Sequence, residues 1–204
     1  MPLIAKKSDG IGWSTLSRPE KRNAWGEDYN EGFVRVLGEW EDDDDVRCVV
    51  LTGDEAGAAF SAGADLKDPK THATANSADF ITRKVAKARH FAGNVLHDFP
   101  KPVVAAVNGY AVGIGCIVTF CCDLIVASEK AEWRLPQVGL GILPANGGAV
   151  RLARWVGKGE AMKASLGFPI KEIDELLKLG RDMSRPSRKV RALADRHKQA
   201  VVAR

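Results

Sequence analysis

The residues best suited to chemistry lie between Lys101 and Asp123, where two glycines follow an apolar run. Residues 103–107 are small and apolar and predict a buried strand. Gly113 and Gly115 allow the backbone to approach a ligand closely, and Cys116 to Cys122 predict an apolar helix. A strand that turns through glycines into a helix leaves unpaired N–H groups and the positive end of a helix dipole at one place. Such a place suits an anion, or an oxygen that becomes anionic during a reaction.

A purely structural interpretation fits the same pattern. Short glycine motifs are common, so these glycines can serve the packing of a buried βα unit and nothing more. The pattern of residues does not choose between a ligand site and a packing motif.

The composition excludes several classes of protein. A chain of 204 residues fits one domain, or one domain with a helical appendage. Its hydrophobic fraction of 45% is enough for a core, but no apolar run approaches the ~18 residues that a membrane span needs. Residues 1–10 lack the apolar core of a secretion signal. We therefore predict a cytoplasmic protein with no membrane partner.

The cysteines predict no metal site. Cys121 and Cys122 are direct neighbours, and with Cys48 and Cys116 they do not have the spacing of zinc ligands. All four lie in or beside apolar segments, which favours buried thiols in a reducing compartment.

Charge divides the chain into two parts. Residues 1–150 carry 16 Lys and Arg against 20 Asp and Glu, whereas residues 151–204 carry 14 against 6. A basic tail can contact nucleic acid. A solvated helix face is the commoner explanation, and we predict no nucleic-acid partner.

Hydrophobic periodicity predicts alternating strands and helices, which is typical of an α/β core. We predict a core over residues 1–170 and a short, basic, helical segment over residues 171–204. The predicted strands are 11–17, 46–52, 103–107 and 124–127, and the predicted helices are 29–40, 78–98, 116–122, 149–156 and 159–166. Residues 134–148 predict a loop rich in glycine and proline.

Several motifs occur together in the order and spacing of one family. They are Arg18-Pro-Glu-Lys-Arg-Asn-Ala24, Ser61-Ala-Gly-Ala-Asp-Leu-Lys67, the stretch 101–123, Leu135-Pro-Gln137, Gly139-Leu-Gly141 and Asn146-Gly-Gly148. Over roughly residues 10–170 the chain resembles the crotonase (enoyl-CoA hydratase/isomerase) family. The resemblance implies a spiral of ββα units that forms two sheets, with helices outside and a helical C-terminal end. It also implies a homotrimer or hexamer. The implied substrate is a coenzyme A thioester, and no covalently bound cofactor is expected.

The resemblance assigns an oxyanion hole to the backbone N–H groups of Ala64 and Ile114. Two such donors stabilise the charge that develops on a thioester oxygen as an enolate forms. The family usually has glycine where this chain has Ile114. A backbone donor survives that change, although a β-branched side chain restricts the turn.

The resemblance also implies contacts with coenzyme A and with the substrate. Basic side chains among these residues suit the phosphates of the nucleotide end as charge-assisted donors. The implied contacts are Lys21, Arg22, Ala24, Ala62, Asp65, Leu66, Lys67, Tyr110, Gly113, Pro136 and Leu140.

The chain departs from the family at both catalytic positions. Hydratases of the family use two glutamates to hold and deprotonate a water, and Ile117 and Gln137 stand at those positions here. Isoleucine cannot take a proton, and glutamine has no useful basicity near neutral pH. We therefore expect no efficient hydration by the two-glutamate mechanism.

Three other side chains could replace the glutamates. His90 could serve as a general base, as a histidine on this helix does in some members of the family, Arg134 could contact an acidic acyl group, and Asn146 could donate a hydrogen bond. A helix-surface or packed histidine is the commoner explanation for His90, and solvent exposure explains Arg134 equally well. Some members of the family are aryl-CoA dehalogenases, which use a carboxylate nucleophile. The resemblance places that carboxylate near Ala145 of this chain, so we do not expect dehalogenation.

Two hypotheses therefore stay open for the function. In the first, the chain is an enzyme that acts on an acyl-CoA thioester through an enolate-like intermediate. In the alternative, it is a catalytically silent acyl-CoA-binding or scaffold member of the family. The segment after Ile170 does not match the helical cover that the family places over the acyl pocket, and a wetter pocket would weaken an oxyanion site.

Overall fold

The computed structural model describes residues 3–67, 91–140 and 142–166. Short strands alternate with longer ones and with helices through these ranges. The strands are β1 (Leu3–Ser8), β2 (Ile11–Leu16), β3 (Cys48–Gly53), β4 (Ala59–Ser61), β5 (Val103–Val107), β6 (Tyr110–Val112), β7 (Leu124–Ala127) and β8 (Glu132–Arg134). The helices are α1 (Glu27–Glu41), α2 (Ala92–Asp98), α3 (Ile114–Thr119) and α4 (Gly148–Ser165).

The strands form two sheets. The larger sheet has the order β1-β2-β3-β5-β7 and is parallel apart from the antiparallel β1–β2 pair. The smaller sheet, β4-β6-β8, is parallel. Each long strand from β3 onward is followed along the chain by a short strand of the other sheet. This repetition confirms the predicted spiral of ββα units.

The core lies between one face of the larger sheet and the helices. Alternate residues of β5 turn inward, with Val103, Ala105 and Val107 no more than 1% exposed. Helix α1 buries one stripe of its surface at helical spacing. The stripe consists of Tyr29, Phe33, Val36, Leu37 and Trp40.

Most of the predicted strands and helices are confirmed, with two corrections. A single helix over residues 78–98 is wrong, because Phe91 has extended backbone angles and α2 begins only at Ala92; residues 78–90 lie outside the described residues. The helix predicted over 116–122 begins two residues earlier and ends at Thr119. The two helices predicted after residue 148 are continuous in α4 but meet at a kink, where Gly157 has a φ of 76°.

Four strands were not predicted from the sequence. β4, β6 and β8 have three residues each, too few to show a period of two. β1 begins with three apolar residues and continues with three polar ones, so it shows no alternation, and five of its six residues are exposed. In the part of the chain that the structure describes, no helix is long and apolar enough to cross a membrane.

Lys101 connects the first helix to the strand that leads to the candidate site. Its Nζ donates to the carbonyl oxygens of Trp40 at 2.7 Å and of Asp43 at 2.6 Å. Carbonyls at a helix C-terminus have no partner within the helix, and a cation there also interacts favourably with the helix dipole. The Lys101 ammonium therefore closes the end of α1 just before β5 begins.

We expect Lys101→Met to destabilise the fold by about 1–2 kcal/mol, because two part-buried carbonyls lose a charged donor. The measurement is the urea midpoint of unfolding, with the exposed Lys158→Met as the matched control. Equal midpoints for the two variants would contradict the capping role.

Candidate functional site

The peptide group between Gly63 and Ala64 is oriented by hydrogen bonding. The Gly63 carbonyl accepts from the Trp25 N–H at 2.7 Å. In a trans peptide the N–H points opposite to the carbonyl, so the Ala64 N–H points away from Trp25. Ala64 is exposed, and its N–H donates no hydrogen bond within the described part of the chain.

The peptide group between Gly113 and Ile114 is oriented in the same way. The Gly113 carbonyl accepts from the Ile117 N–H at 3.0 Å, which is the first bond of α3. The Ile114 N–H therefore points out of the N-terminal end of that helix, and no described residue accepts it. The N–H of Gly113 itself donates to the Arg134 carbonyl at 2.8 Å.

The two peptide groups come from turns that touch each other. Because β4 and β6 are parallel neighbours, their carboxyl ends lie at the same edge of the small sheet. Gly63 has a φ of 90° and Gly113 a φ of 55°, and a Cβ built on Gly63 would lie 3.8 Å from the Gly113 Cα. That Cβ would also lie 2.8 Å from the Val112 carbonyl oxygen, so only glycine fits there. Two unpaired N–H groups from adjacent turns can together stabilise an oxygen that gains negative charge.

Two residues that the sequence analysis did not single out hold these turns in place. Asn23 is fully buried and donates from Nδ2 to the carbonyls of Asp54 and Ala59, at 3.0 and 2.8 Å. Ser61, also fully buried, packs so closely that a Cβ on Gly115 would lie 2.6 Å from its own Cβ. The only sequence signal for Ser61 was a polar residue at the end of an apolar strand. The only signal for Asn23 was its place in a motif.

Ile117 and Gln137 flank the turns. Ile117 is 2% exposed, and its Cδ1 would lie 2.8 Å from a Cβ on Gly148, at the start of α4. Gln137 is 9% exposed, and its Nε2 lies 3.7 Å from the position of a Cβ on Gly113. The Gln137 Oε1 is buried and has no hydrogen-bond partner among the described residues. Both positions are therefore next to the turns, and neither side chain can ionise.

The residues expected at the nucleotide end are close together. The Lys21 Nζ lies 2.6 Å from an Asp65 carboxylate oxygen, and this hydrogen bond holds the pKa of Asp65 below its usual value. Ala62 donates its N–H to the Arg22 carbonyl at 2.9 Å, and Lys67 donates its N–H to Asp65 at 3.1 Å. Further pairing between Trp25 and Ala64 joins the two segments, and Ala24 is buried beside it. Leu66 is 58% exposed.

The remaining predicted contacts lie on two exposed surfaces. The Arg134 guanidinium pairs with Glu132 at 2.6 Å and lies 5.6 Å from the centre of the Tyr110 ring, so its charge already has a partner. Pro136 and Leu140 begin and end an exposed 3₁₀ turn. Asn146 is exposed in the loop before α4 and has a φ of 55°. His90 lies outside the described residues.

Cysteine chemistry contributes nothing to this arrangement. All four cysteines lie in the described ranges and none forms a disulfide; three are buried and Cys48 is half-buried. Burial raises the pKa of the Cys116 thiol well above its usual value and that of Cys121 to about 11. Within those ranges no group of three or more His, Cys, Asp or Glu residues could hold a metal ion.

We expect Gly115→Ala to destabilise the protein by about 1–3 kcal/mol, since the new methyl group would overlap the Ser61 side chain. Gly38→Ala is the matched control, because a Cβ at Gly38 in α1 meets nothing within 4 Å and should stabilise by about 0.5–1 kcal/mol. Urea unfolding measures both, and a neutral or stabilising Gly115→Ala would contradict the described contact.

The Lys21–Asp65 pair should make stability depend on pH. Because the folded-state pKa of Asp65 is lowered, its contribution is present above its usual pKa of 3.8 and is lost as the pH falls. We expect Asp65→Asn to lower the urea midpoint at pH 6, and the difference from wild type to shrink as the pH approaches 3. Exposed Asp9→Asn is the control. A difference that does not change with pH would exclude an ionic origin.

Comparison with known proteins places this geometry in a family. A family model described as enoyl-CoA hydratase/isomerase matches residues 6–180. The chain is 38% identical to a short-chain-enoyl-CoA hydratase of Clostridium acetobutylicum over 87% of its own length and 66% of that protein's. It is 39% identical to the 2,3-dehydroadipyl-CoA hydratase of Escherichia coli, covering 80% of its own length and 61% of that protein's. The chain thus spans about two thirds or less of these relatives.

A solved structure gives the same result for the fold, and a second family model matches the C-terminal segment. The crystal structure of an enoyl-CoA hydratase subunit I from Geobacillus kaustophilus has 27% identity and a TM-score of 0.76, over 98% of this chain and 82% of that one. A model described as MerR, DNA binding, matches residues 165–204, of which residues 167–204 lie outside the described part. From the match over residues 6–180 and these relatives we conclude that the chain belongs to the enoyl-CoA hydratase/isomerase (crotonase) family.

Proposed function

We propose that this chain binds an acyl-CoA thioester and stabilises negative charge on the thioester oxygen with the N–H groups of Ala64 and Ile114. The observation that supports this most directly is a pair of N–H groups on adjacent turns that donate to none of the described residues. Each one follows a glycine whose carbonyl is hydrogen-bonded inside the protein. Their directions are therefore set before any ligand arrives.

Such a site polarises the thioester carbonyl. It does not by itself determine which reaction follows. Loss of a proton from the α-carbon moves charge onto the thioester oxygen and gives an enolate-like state. An N–H group aimed at that oxygen stabilises the state by about 3–4 kcal/mol in comparable enzymes. Because the donors are parts of the backbone, they need no reorganisation as the charge develops.

The nucleotide end of the ligand has a suitable basic surface. Lys21, Arg22 and Lys67 are all exposed, and their side chains can donate charge-assisted hydrogen bonds to phosphate. The Lys21 ammonium is held by Asp65, so its position is restricted before binding. This segment also pairs with the Ala64 turn through Trp25, which connects recognition of the nucleotide with the thioester site.

Hydration of a double bond is not the proposed reaction. It needs a base that holds and deprotonates a water, and the positions that flank the turns carry Ile117, whose side chain is apolar, and Gln137, whose amide is neutral. Gln137 can hydrogen-bond to a water or to a substrate hydroxyl, but it cannot take the proton at neutral pH.

The test uses crotonyl-CoA with wild type and with the Ile117→Glu/Gln137→Glu double variant. We expect wild type to bind the thioester and hydrate it at least 100-fold more slowly than the double variant, because general acid–base groups typically contribute 10²–10⁴-fold. Hydration is followed by loss of the enoyl absorbance, and affinity by calorimetry.

The control is Ile117→Gln, which introduces polarity at the same position without a titratable group. If wild type hydrates crotonyl-CoA as fast as the double variant, the absence of the glutamates does not limit the reaction. If wild type does not bind crotonyl-CoA or butyryl-CoA, the proposed function itself is wrong.

A second candidate is a catalytically silent acyl-CoA-binding or scaffold protein. It is favoured by the chemistry of the side chains next to the turns, since Ser61, Ile117 and Gln137 supply no acid or base. Exchange of the α-protons of butyryl-CoA in D₂O, followed by NMR, separates the two candidates. Exchange faster than in buffer supports the enzyme, and binding without exchange supports the silent protein.

Assembly, compartment and the C-terminal segment complete the proposal. A homotrimer or hexamer is what the family resemblance implies, and light scattering after gel filtration tests the oligomeric state. The cytoplasmic compartment is proposed from the composition of the sequence and the apolar surroundings of its cysteines. A division into a core over residues 1–170 and a basic segment over residues 171–204 agrees with the shift in charge between the two parts. The MerR-like match over residues 165–204 concerns that segment alone, and the proposal includes no nucleic-acid partner.

A further inference from the structure

Ser61 occupies a central position between the two turns although it is completely buried. Its Oγ donates to the Asn23 carbonyl at 2.8 Å and accepts the N–H of Gly63 at 3.3 Å. Its Cβ faces Gly115, where an added methyl group would lie 2.6 Å away. One side chain therefore contacts the residue before the Ala64 donor and the residue after the Ile114 donor.

The two hydrogen bonds of Gly63 explain why this serine matters. Gly63 has a φ of 90° and no side chain, so its own conformational preferences leave both neighbouring peptide groups free to rotate. The Ser61 hydroxyl holds its N–H, and the Trp25 N–H holds its carbonyl. Because the Ala64 N–H belongs to the same peptide group as that carbonyl, its direction depends on both contacts.

The Asn23 residue, whose carbonyl accepts the Ser61 hydroxyl, is held firmly in place. Ser61 donates to the backbone of Asn23, and the Asn23 side chain is tied to three further backbone groups. Its Nδ2 donates to Asp54 and Ala59, and its Oδ1 accepts from the Arg18 N–H at 3.0 Å. The orientation of the hydroxyl is thus fixed, because its O–H donates to the Asn23 carbonyl and a lone pair faces the Gly63 N–H.

We propose that Ser61 is a positioning residue for the oxyanion site, and that its hydroxyl sets the direction of the Ala64 N–H toward the thioester oxygen. This inference rests on the proposed function of that site. Ser61 is not a catalytic residue, because it is 0% exposed and its hydroxyl is already bonded on both sides. It acts through Gly63 alone.

Removal of the hydroxyl has a defined consequence. In Ser61→Ala the buried Gly63 N–H and the Asn23 carbonyl both lose a partner, and the turn can relax toward other partners. The basic residues that suit the phosphates are untouched. We expect the ligand to bind with roughly tenfold lower affinity, and its carbonyl to lose the part of the polarisation that the Ala64 N–H supplies, because the Ile114 N–H is unaffected.

The experiment measures the carbonyl stretching frequency of butyryl-CoA, labelled with ¹³C at the thioester carbon, by infrared difference spectroscopy on wild type and Ser61→Ala. A lowered frequency on binding reports hydrogen bonds to the oxygen, a property that fold stability alone does not change. Ser14→Ala is the matched control, because Ser14 is equally buried on a strand and its Oγ has no hydrogen-bond partner in the part of the chain that the structure describes. Urea midpoints are measured in parallel.

The outcomes are distinct. If wild type and Ser14→Ala lower the frequency and Ser61→Ala binds but lowers it clearly less, the inference is supported. If Ser61→Ala shows the wild-type shift, the inference is overturned while the proposed function stands. If wild type binds without any shift, the proposed function and the inference both fail.

A conservative variant covers the case in which Ser61→Ala does not fold. Ser61→Cys retains a weaker donor and acceptor at the same place. A frequency shift between that of free ligand and that of wild type supports the positioning role. A shift equal to that of wild type overturns it.

Discussion

The candidate site depends on a single constraint of peptide geometry. A trans peptide group points its carbonyl and its N–H in opposite directions, so an N–H can face a ligand only if the carbonyl beside it is accommodated inside the protein. The inward carbonyl of Gly63 accepts a hydrogen bond from the Trp25 N–H, and that of Gly113 accepts one from the Ile117 N–H in the first turn of α3. The positive φ of both glycines follows from that requirement.

The two-sheet spiral satisfies this constraint at two places at once. Successive turns of the spiral put β4 and β6 side by side and parallel, although about 50 residues separate them along the chain. Their carboxyl ends therefore meet, and the turn that follows each one contributes one N–H group. Fully buried polar groups, Asn23 and Ser61, then tie this edge to the segment that carries Lys21 and Arg22.

The sequence was informative where the signal is local. The strand over residues 103–107 and the glycine turn after it were predicted correctly, because a buried β-branched run and a pair of glycines can be recognised from neighbouring residues alone. The break at Phe91 was not, since the apolar side of the predicted helix continues through it. The roles of Asn23 and Ser61 depend on hydrogen bonds that join residues 31 to 38 positions apart, and no local pattern records these.

The backbone origin of the two donors has a consequence for how such a protein changes over generations. A side-chain acid or base disappears with one altered codon, as a glutamate replaced by glutamine would. A main-chain N–H is encoded by no particular codon, and apart from proline every residue carries it. Ile114 illustrates this, because its N–H is retained whatever side chain stands there. A chain with this pair of turns can therefore lose a neighbouring acid or base and still keep both main-chain N–H groups.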